Sequence, residues 1–445
     1  MNASLLFTPL SPFVVAAAWL VLVLAARVLR SQLFAAFVGV VIGVLSLIWV
    51  GLAPSLPTWV LPAFLVGQLQ VWLHYGLLSR ARPRPAWFRF GISVPALFFA
   101  AATLLAAPWA VAATVLRWSA ENPPWSGFAA VVPGWWIPFV IAALGTVQSF
   151  FARRETVILD PAPSSSVPDE SAVEARTEEV TRPTFERVER RRGLGAPLQS
   201  GQDPRRGGLA AGGSLRIGVL SDPHLGPFVS PRRLADACRR LVDAEPDLIC
   251  LPGDLLTMES QQATEWVSPA LEPLGQLEGR VFACLGNHDL EDLESVHAVY
   301  ARHGIRLLVD EAQLWSDGDR DPIEIVGLAH RWGRRNQEHG EVLDALGPPE
   351  HPRIVLLHDP TAFAHLPAGS APLVLSGHTH GGQVGLLSLG LEWTTLRWIA
   401  PAIPDHGAWR RGPDLLYVHR GLGHYGFPIR LGVPAEESVL EWRTR

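Results

Sequence analysis

The sequence predicts an α/β domain in its second half, preceded by an all-α, multi-pass membrane domain. Two observations lead there. Residues 31–79, 90–116 and 122–152 contain no Asp, Glu, Lys or Arg. Farther on, five strand-like apolar runs each end in polar side chains with metal-donor atoms: Leu215–Leu220, Leu248–Leu251, Val281–Leu285, Ile354–Leu357 and Leu373–Leu375.

The charge-free stretches exceed the roughly 20 residues that a helix needs to cross a bilayer. They predict about five helices, near 12–28, 33–53, 58–79, 90–112 and 134–152, with Pro54 and Pro57 dividing the longest run. A cleaved signal peptide accounts for the first run only, and a soluble helical core does not repeat such runs five times. Trp72, Trp87, Trp109, Trp118, Trp135 and Trp136 fall near span ends, as interfacial belts require. Arginine placement sets the orientation. Arg27 and Arg30, then Arg80, Arg82, Arg84 and Arg89, then Arg153 and Arg154 lie on one side, against Arg117 alone on the other. The positive-inside rule then places the N-terminus outside and the second-half domain in the cytoplasm, provided the helix number is odd. Gln68, Gln70 and His74 in the third helix read as helix–helix hydrogen-bonding groups rather than as a transport path.

Residues 156–213 are rich in Pro, Ser, Gly, Glu and Arg, and Phe185 is their only aromatic residue. Such a segment buries too little apolar surface to order itself, so a disordered linker is expected there. Glu186 and Glu189 interrupt its arginines, which favours a solvated tether over a lipid-headgroup binder. The α/β domain is expected over 214–445. A net charge of −5 gives no nucleic-acid signal. Cys238, Cys250 and Cys284 form no spaced metal motif; two of them fall in expected core strands, which fits a reducing compartment. Every Lys/Arg position is arginine, as in high-GC bacterial genomes, and the bacterial inner membrane is the expected location.

The donor-bearing fragments read Asp222-Pro223-His224, Gly253-Asp254, Gly286-Asn287-His288-Asp289, His358-Asp359 and Gly377-His378-Thr379-His380. Asp, Asn and neutral His are oxygen and nitrogen donors suited to Mn, Fe or Zn. Strands that deliver them from their C-terminal ends converge on one sheet edge, where α/β proteins place ligands. Taken singly, a Gly-Asp is an ordinary turn and a lone His an ordinary histidine. Five such fragments in succession, each at a strand end, point to a metal centre. His378 and His380 would share a face on a continuing strand, but the strand has ended at Gly377, so the two imidazoles are free to aim at different metals. Gly253, Gly286 and Gly377 each precede a donor, as tight strand-to-loop turns require.

In this order the fragments resemble the calcineurin-like metallophosphoesterases. Ser221–Gly226, Gly377–Gln383, Gly421-Leu422-Gly423 and Pro428-Ile429-Arg430 resemble the subfamily of membrane-attached phosphodiesterases. The resemblance covers residues 214–443 and implies a four-layer αββα sandwich, two face-to-face sheets with helices outside, around two divalent metal ions. It assigns Asp222, His224 and His380 to the first metal and Asn287, His358 and His378 to the second. Asp254 would bridge them, and His288 would face the substrate phosphate as the catalytic proton donor. Two cations about 3.5–4 Å apart clamp the attacking and leaving oxygens and lower the pKa of a water between them. An imidazolium donating to the leaving oxygen contributes roughly 10²–10⁴ in rate. Two positions depart from the pattern. Thr257 stands where the family often has an Asp that orients the catalytic His, and Pro223 stands where another apolar residue is common.

A soluble enzyme held beside a bilayer has local access to lipids. The expected reaction is therefore hydrolysis of a phosphodiester or pyrophosphate on a lipid-linked substrate, UDP-2,3-diacylglucosamine being one that members of the subfamily use. The alternative is a membrane sensor or scaffold that binds a phosphorylated ligand without turnover, which Thr257 favours. A transporter reading rests only on Gln68, Gln70 and His74.

Overall fold

The computed structural model describes residues 12–53, 56–121, 134–160, 185–187, 213–318 and 321–443. They form two compact units, one of residues 1–148 with 426–431 and one of residues 149–425 with 432–445.

The first unit is helical over Pro12–Leu29, Gln32–Leu52, Leu61–Leu77, Ala86–Leu105, Ala107–Glu121 and Ile137–Gln148. Gln32–Leu52 and Ala86–Leu105 are long and apolar enough to cross a membrane; Val15–Leu29, Ala107–Leu116 and Ile137–Gln148 are shorter apolar helices. The expected helix at 90–112 is therefore two helices parted at Ala106. Pro108, which lacks an N–H and clashes with the turn before it, explains the break. The expected helix at 134–152 is also shorter, because Ala152 already begins a strand. Ser31 caps the second helix by accepting from the Phe34 N–H at 3.1 Å. Gln70 donates to the Gly91 carbonyl of a neighbouring helix at 3.0 Å, a helix–helix bond of the kind expected for it. Arg30 and Arg84 both donate to the C-terminal end of Leu61–Leu77, at Leu78 O (2.6 Å) and Leu77 O (2.7 Å). The first and third loops thus lie at one end of this unit.

The second unit is a sandwich of two mixed sheets. Its strands in chain order are β1 (Ala152–Leu159), β2 (Glu186–Arg187), β3 (Ser214–Val219), β4 (Leu248–Leu251), β5 (Val281–Ala283), β6 (Arg306–Leu307), β7 (Glu311–Trp315), β8 (Ile323–Gly327), β9 (Arg353–Leu356), β10 (Leu373–Ser376), β11 (Gly407–Arg411), β12 (Asp414–Val418) and β13 (Ala435–Arg443). One sheet has the order β1-β13-β3-β4-β5-β6 and the other β2-β11-β12-β10-β9-β8-β7. Strands β3 to β6 run parallel, as do β8, β9, β10 and β12. These parallel stretches read as near-continuous apolar runs because both their faces are covered. Leu215, Ile217 and Val219 of β3 meet Ile354, Leu356, Leu373 and Leu375 between the sheets. Ile249 and Leu251 face outward onto the helix Pro231–Asp243, and Val355 and Val374 onto the helix Glu338–Leu346. Helix, sheet, sheet, helix is the four-layer arrangement expected.

The linker boundary needs correction. Residues 156–159, expected as linker, belong to β1, which pairs in parallel with β13 from Ala152↔Ala435 to Leu159↔Trp442. Glu186–Arg187 pairs with β11. The charged start of β1 hid its alternation: Val157 and Leu159 are buried in the inter-sheet core, and Glu155 meets the buried Arg420. The α/β unit therefore takes its edge strand from before the linker, whose residues 161–184 and 188–212 lie outside the described residues.

Candidate metal centre

The expected donors lie just past the C-terminal ends of β3, β4, β5, β9 and β10, so parallel strands from both sheets deliver them to one end of the sandwich. Asp222, His224 and His380 come together with donor atoms within 4.8 Å of one another, and Asp254, His358 and His378 do the same. His378 and His380 thus fall in different groups. Asp254 joins the two groups: its Oδ2 lies 3.2 Å from His358 Nε2 and 3.5 Å from His224 Nε2. Within the first group His224 Nε2 and His380 Nε2 are 3.2 Å apart; within the second His378 Nδ1 and His358 Nε2 are 3.3 Å apart.

The tautomers follow from the surroundings. His224 Nδ1 faces the Leu256 carbonyl at 3.2 Å and His358 Nδ1 the Pro252 carbonyl at 2.6 Å. A carbonyl only accepts, so each Nδ1 carries a proton and each Nε2 faces the cluster, the outer-shell pattern of metal-ligating histidines. Asn287 fits as well: its Oδ1 is buried and has no hydrogen-bond partner among the described residues. Asp222 and Asp254 are almost wholly buried, and buried carboxylates are tolerated when paired or bound to metal. Burial pushes the Asp222 carboxyl up to about 7 and the His224 imidazole down to about 3. Burial opposes ionisation of Asp254 too, yet the charge and hydrogen bond of His358 outweigh it and hold that carboxyl well below its ordinary range. These residues fit divalent cations in donor chemistry and in the position of their ring protons.

The glycines have concrete tasks. A Cβ on Gly377 would collide with the Asp222 carboxylate and the Ser221 hydroxyl, and one on Gly286 with the Asp254 carboxylate. The His378 N–H donates to both Asp222 oxygens, at 3.0 and 3.1 Å, which ties the two groups together through the backbone.

His288 stands at the rim of the first group. Its N–H donates to Asp254 Oδ1 at 2.8 Å, and its ring lies 5.3 Å from that of His224. Thr257 does not face it; that hydroxyl donates to the Leu225 carbonyl at 2.8 Å. The carboxylate beside His288 comes instead from Glu291, whose Oε1 is 3.1 Å from Nδ1. Gln261 Nε2 donates to the other Glu291 oxygen at 2.6 Å. Burial lowers the His288 pKa, but the Glu291 bond and the charges of Asp254, Glu291 and Asp289 outweigh it and raise the imidazole above its ordinary value.

Four further residues here were given no role from the sequence. Asp289 is buried and accepts from the N–H groups of Asp254 (2.8 Å), Leu255 (2.9 Å) and Gly286 (2.9 Å), knotting the loops after β4 and β5. Glu291 lies one turn beyond His288, a spacing that could have exposed it. Tyr425 packs on His288 with ring centroids 4.0 Å apart and stacks on His224 at 5.3 Å; no local signal marks it. His330 borders the second group, 5.8 Å from His358 and 6.1 Å from His378 between ring centroids. Burial pushes His330 down to about 3, so it is neutral.

Comparison with known proteins agrees with this geometry. The family model for calcineurin-like phosphoesterases matches residues 215–382. A Bos taurus "Transmembrane protein with metallophosphoesterase domain" is 30% identical over 251 residues, 51% of this chain and 52% of that protein. "Phosphodiesterase YaeI" of Escherichia coli is 29% identical over 239 residues, covering 51% of this chain and 82% of that protein. An "Uncharacterized metallophosphoesterase YkuE" of Bacillus subtilis is 29% identical over 235 residues, 51% and 78% of the two chains. The chain thus spans about half the length of the bovine relative and most of the two bacterial ones. With its donors at the ends of parallel strands in an αββα sandwich, the region over residues 215–382 is a calcineurin-like phosphoesterase domain, the domain of metal-dependent phosphoester hydrolases.

Proposed function

We propose that this chain is a multi-pass membrane protein whose cytoplasmic domain hydrolyses a phosphodiester or pyrophosphate bond on a lipid-linked substrate. The observation that carries the reading is the position of Asp254, one oxygen of which faces a histidine of each donor group. Asp222, His224 and His380 would hold one divalent ion, Mn, Fe or Zn. Asn287, His358 and His378 would hold the other, and Asp254 would touch both. Two ions so bound supply Lewis-acid stabilisation of the phosphate and an activated water. His288 donates its proton to the departing alkoxide, and Glu291 holds the imidazole in place and keeps it charged. Tyr425 packs on the face of that imidazole and excludes water from it.

The membrane part rests on the outward faces of the first unit's helices, where Val28 (82% exposed), Leu33 (83%) and Leu47 (75%) are apolar and open. Helices that are apolar all round suit lipid. The arginine-bearing first and third loops lie at one end of that unit, as the positive-inside rule demands of a cytoplasmic face. Thr257, which favoured binding without turnover, loses that weight because Glu291 provides the carboxylate.

The test is hydrolysis of bis-p-nitrophenyl phosphate by the purified full chain in detergent with Mn²⁺, and its loss in Asp254→Ala. Inactivity of the wild type with Mn²⁺, Fe²⁺ and Zn²⁺ in turn would overturn the reading. A comparison of membrane lipid extracts treated with wild type and with Asp254→Asn then tests the substrate class: a phosphorylated lipid should disappear only with wild type.

A further inference from the structure

We propose that His330 and Trp332 form the subsite for the ester arm that stays on phosphorus during hydrolysis, and that this arm carries a planar ring. The inference rests on the phosphodiesterase reading above and adds the class of group that the site selects.

His330 follows the end of β8, the neighbour of the strand that carries His358. It is only 9% exposed, and neither ring nitrogen has a hydrogen-bond partner among the described residues. A buried polar group without a partner is unfavourable, and this one borders the second donor group, where a phosphate or ester oxygen can satisfy it. Trp332 meets His330 edge-to-face, with ring centroids 4.5 Å apart at 83°, yet is 60% exposed. The residue between them is clamped: Arg331 pairs with Asp310 at 2.7 Å and with Glu338 at 3.0 Å. The two rings are therefore presented from a fixed backbone, and the indole is left largely open beside His330.

Geometry assigns the arm. In an in-line displacement, water oxygen bonds to phosphorus as the bond to the leaving oxygen breaks, and His288 gives that oxygen its proton. The retained arm leaves as a phosphate monoester. His288 and Tyr425 lie on the side of His224, so the leaving arm occupies that side. His330 and Trp332 lie on the side of His358 and His378, and the retained arm falls there. An exposed indole offers a stacking face that any planar ring can use, a nucleobase included.

Three diesters that share p-nitrophenolate as leaving group and carry phenyl, cyclohexyl or methyl as the retained arm test this on the full chain. Wild type should favour the phenyl arm over the other two by about 5- to 20-fold in kcat/KM, expressed in KM. Trp332→Ala should abolish that preference by lowering the phenyl substrate several-fold more than the methyl one, and Trp332→Phe should restore most of it. A readout free of turnover is calorimetric binding of the products: phenyl phosphate should bind wild type more tightly than methyl phosphate, and Trp332→Ala should equalise them. A preference that survives Trp332→Ala, or equal rates for phenyl and cyclohexyl arms, would overturn the inference. Absence of hydrolysis of all three by wild type would instead count against the underlying phosphodiesterase reading.

Discussion

Asp222, His224, Asp254, His378 and His380 all adopt positive φ, between 45° and 69°. Side chains with a Cβ enter that region at a cost of about 1–3 kcal/mol each, so the loops hold strain where the donors are aimed. Asp289 helps to contain it by accepting four backbone N–H groups. The strain was not visible in the sequence, because only its glycine companions signal it there. His288 and Glu291 yield a pH prediction. The folded imidazole is raised above its ordinary value, so the charged form survives to higher pH than in the unfolded chain. Glu291→Gln keeps an acceptor but removes the charge, which lowers that pKa. Activity on alkyl diesters, which need a proton donor, should then fall at neutral pH and recover as pH is lowered. Activity on p-nitrophenyl esters should change little; equal losses on both at every pH would show that Glu291 acts on packing alone. The same sign governs stability. The His288–Glu291 contribution is complete below the unfolded pKa and is lost as pH rises through the raised folded value.

At the level of elements, the motif-bearing strands were legible because each parallel strand, covered on both faces, is an unbroken apolar run with donors at its end. Strand β1 was not, because Arg153, Arg154 and Glu155 gave it the look of a membrane-span flank. Its polar residue has a partner far along the chain: buried Arg420 donates to Glu155 at 2.6 Å and pairs with Glu436 at 2.7 Å. Arg420→Met removes the cation between two buried carboxylates and should cost about 3–5 kcal/mol. Thermal unfolding of the sandwich should shift down accordingly. The triple change Arg420→Met, Glu155→Gln, Glu436→Gln should recover part of the loss, and no recovery would mean that packing, not charge, holds β1. The break at Ala106 was not legible: the apolar run continues through Pro108, so a single helix over 90–112 was expected where two follow at once.

For the whole molecule, charge-free composition revealed the apolar helices, and arginine placement gave a sidedness that labelling can check. The native cysteines, Cys238, Cys250 and Cys284, are buried, so introduced cysteines report cleanly. In intact cells Thr58→Cys should react with an impermeant maleimide, and Glu294→Cys should react only after the membrane is opened; the reverse would place the phosphoesterase domain outside. The second unit's essential design is a pair of donor groups that share one carboxylate. Metal content per chain, measured by elemental analysis after purification with Mn²⁺, tests that design most directly. Wild type should hold two equivalents, His380→Ala about one, and Asp254→Ala close to none, because its carboxylate serves both groups. Two full equivalents in Asp254→Ala would contradict it.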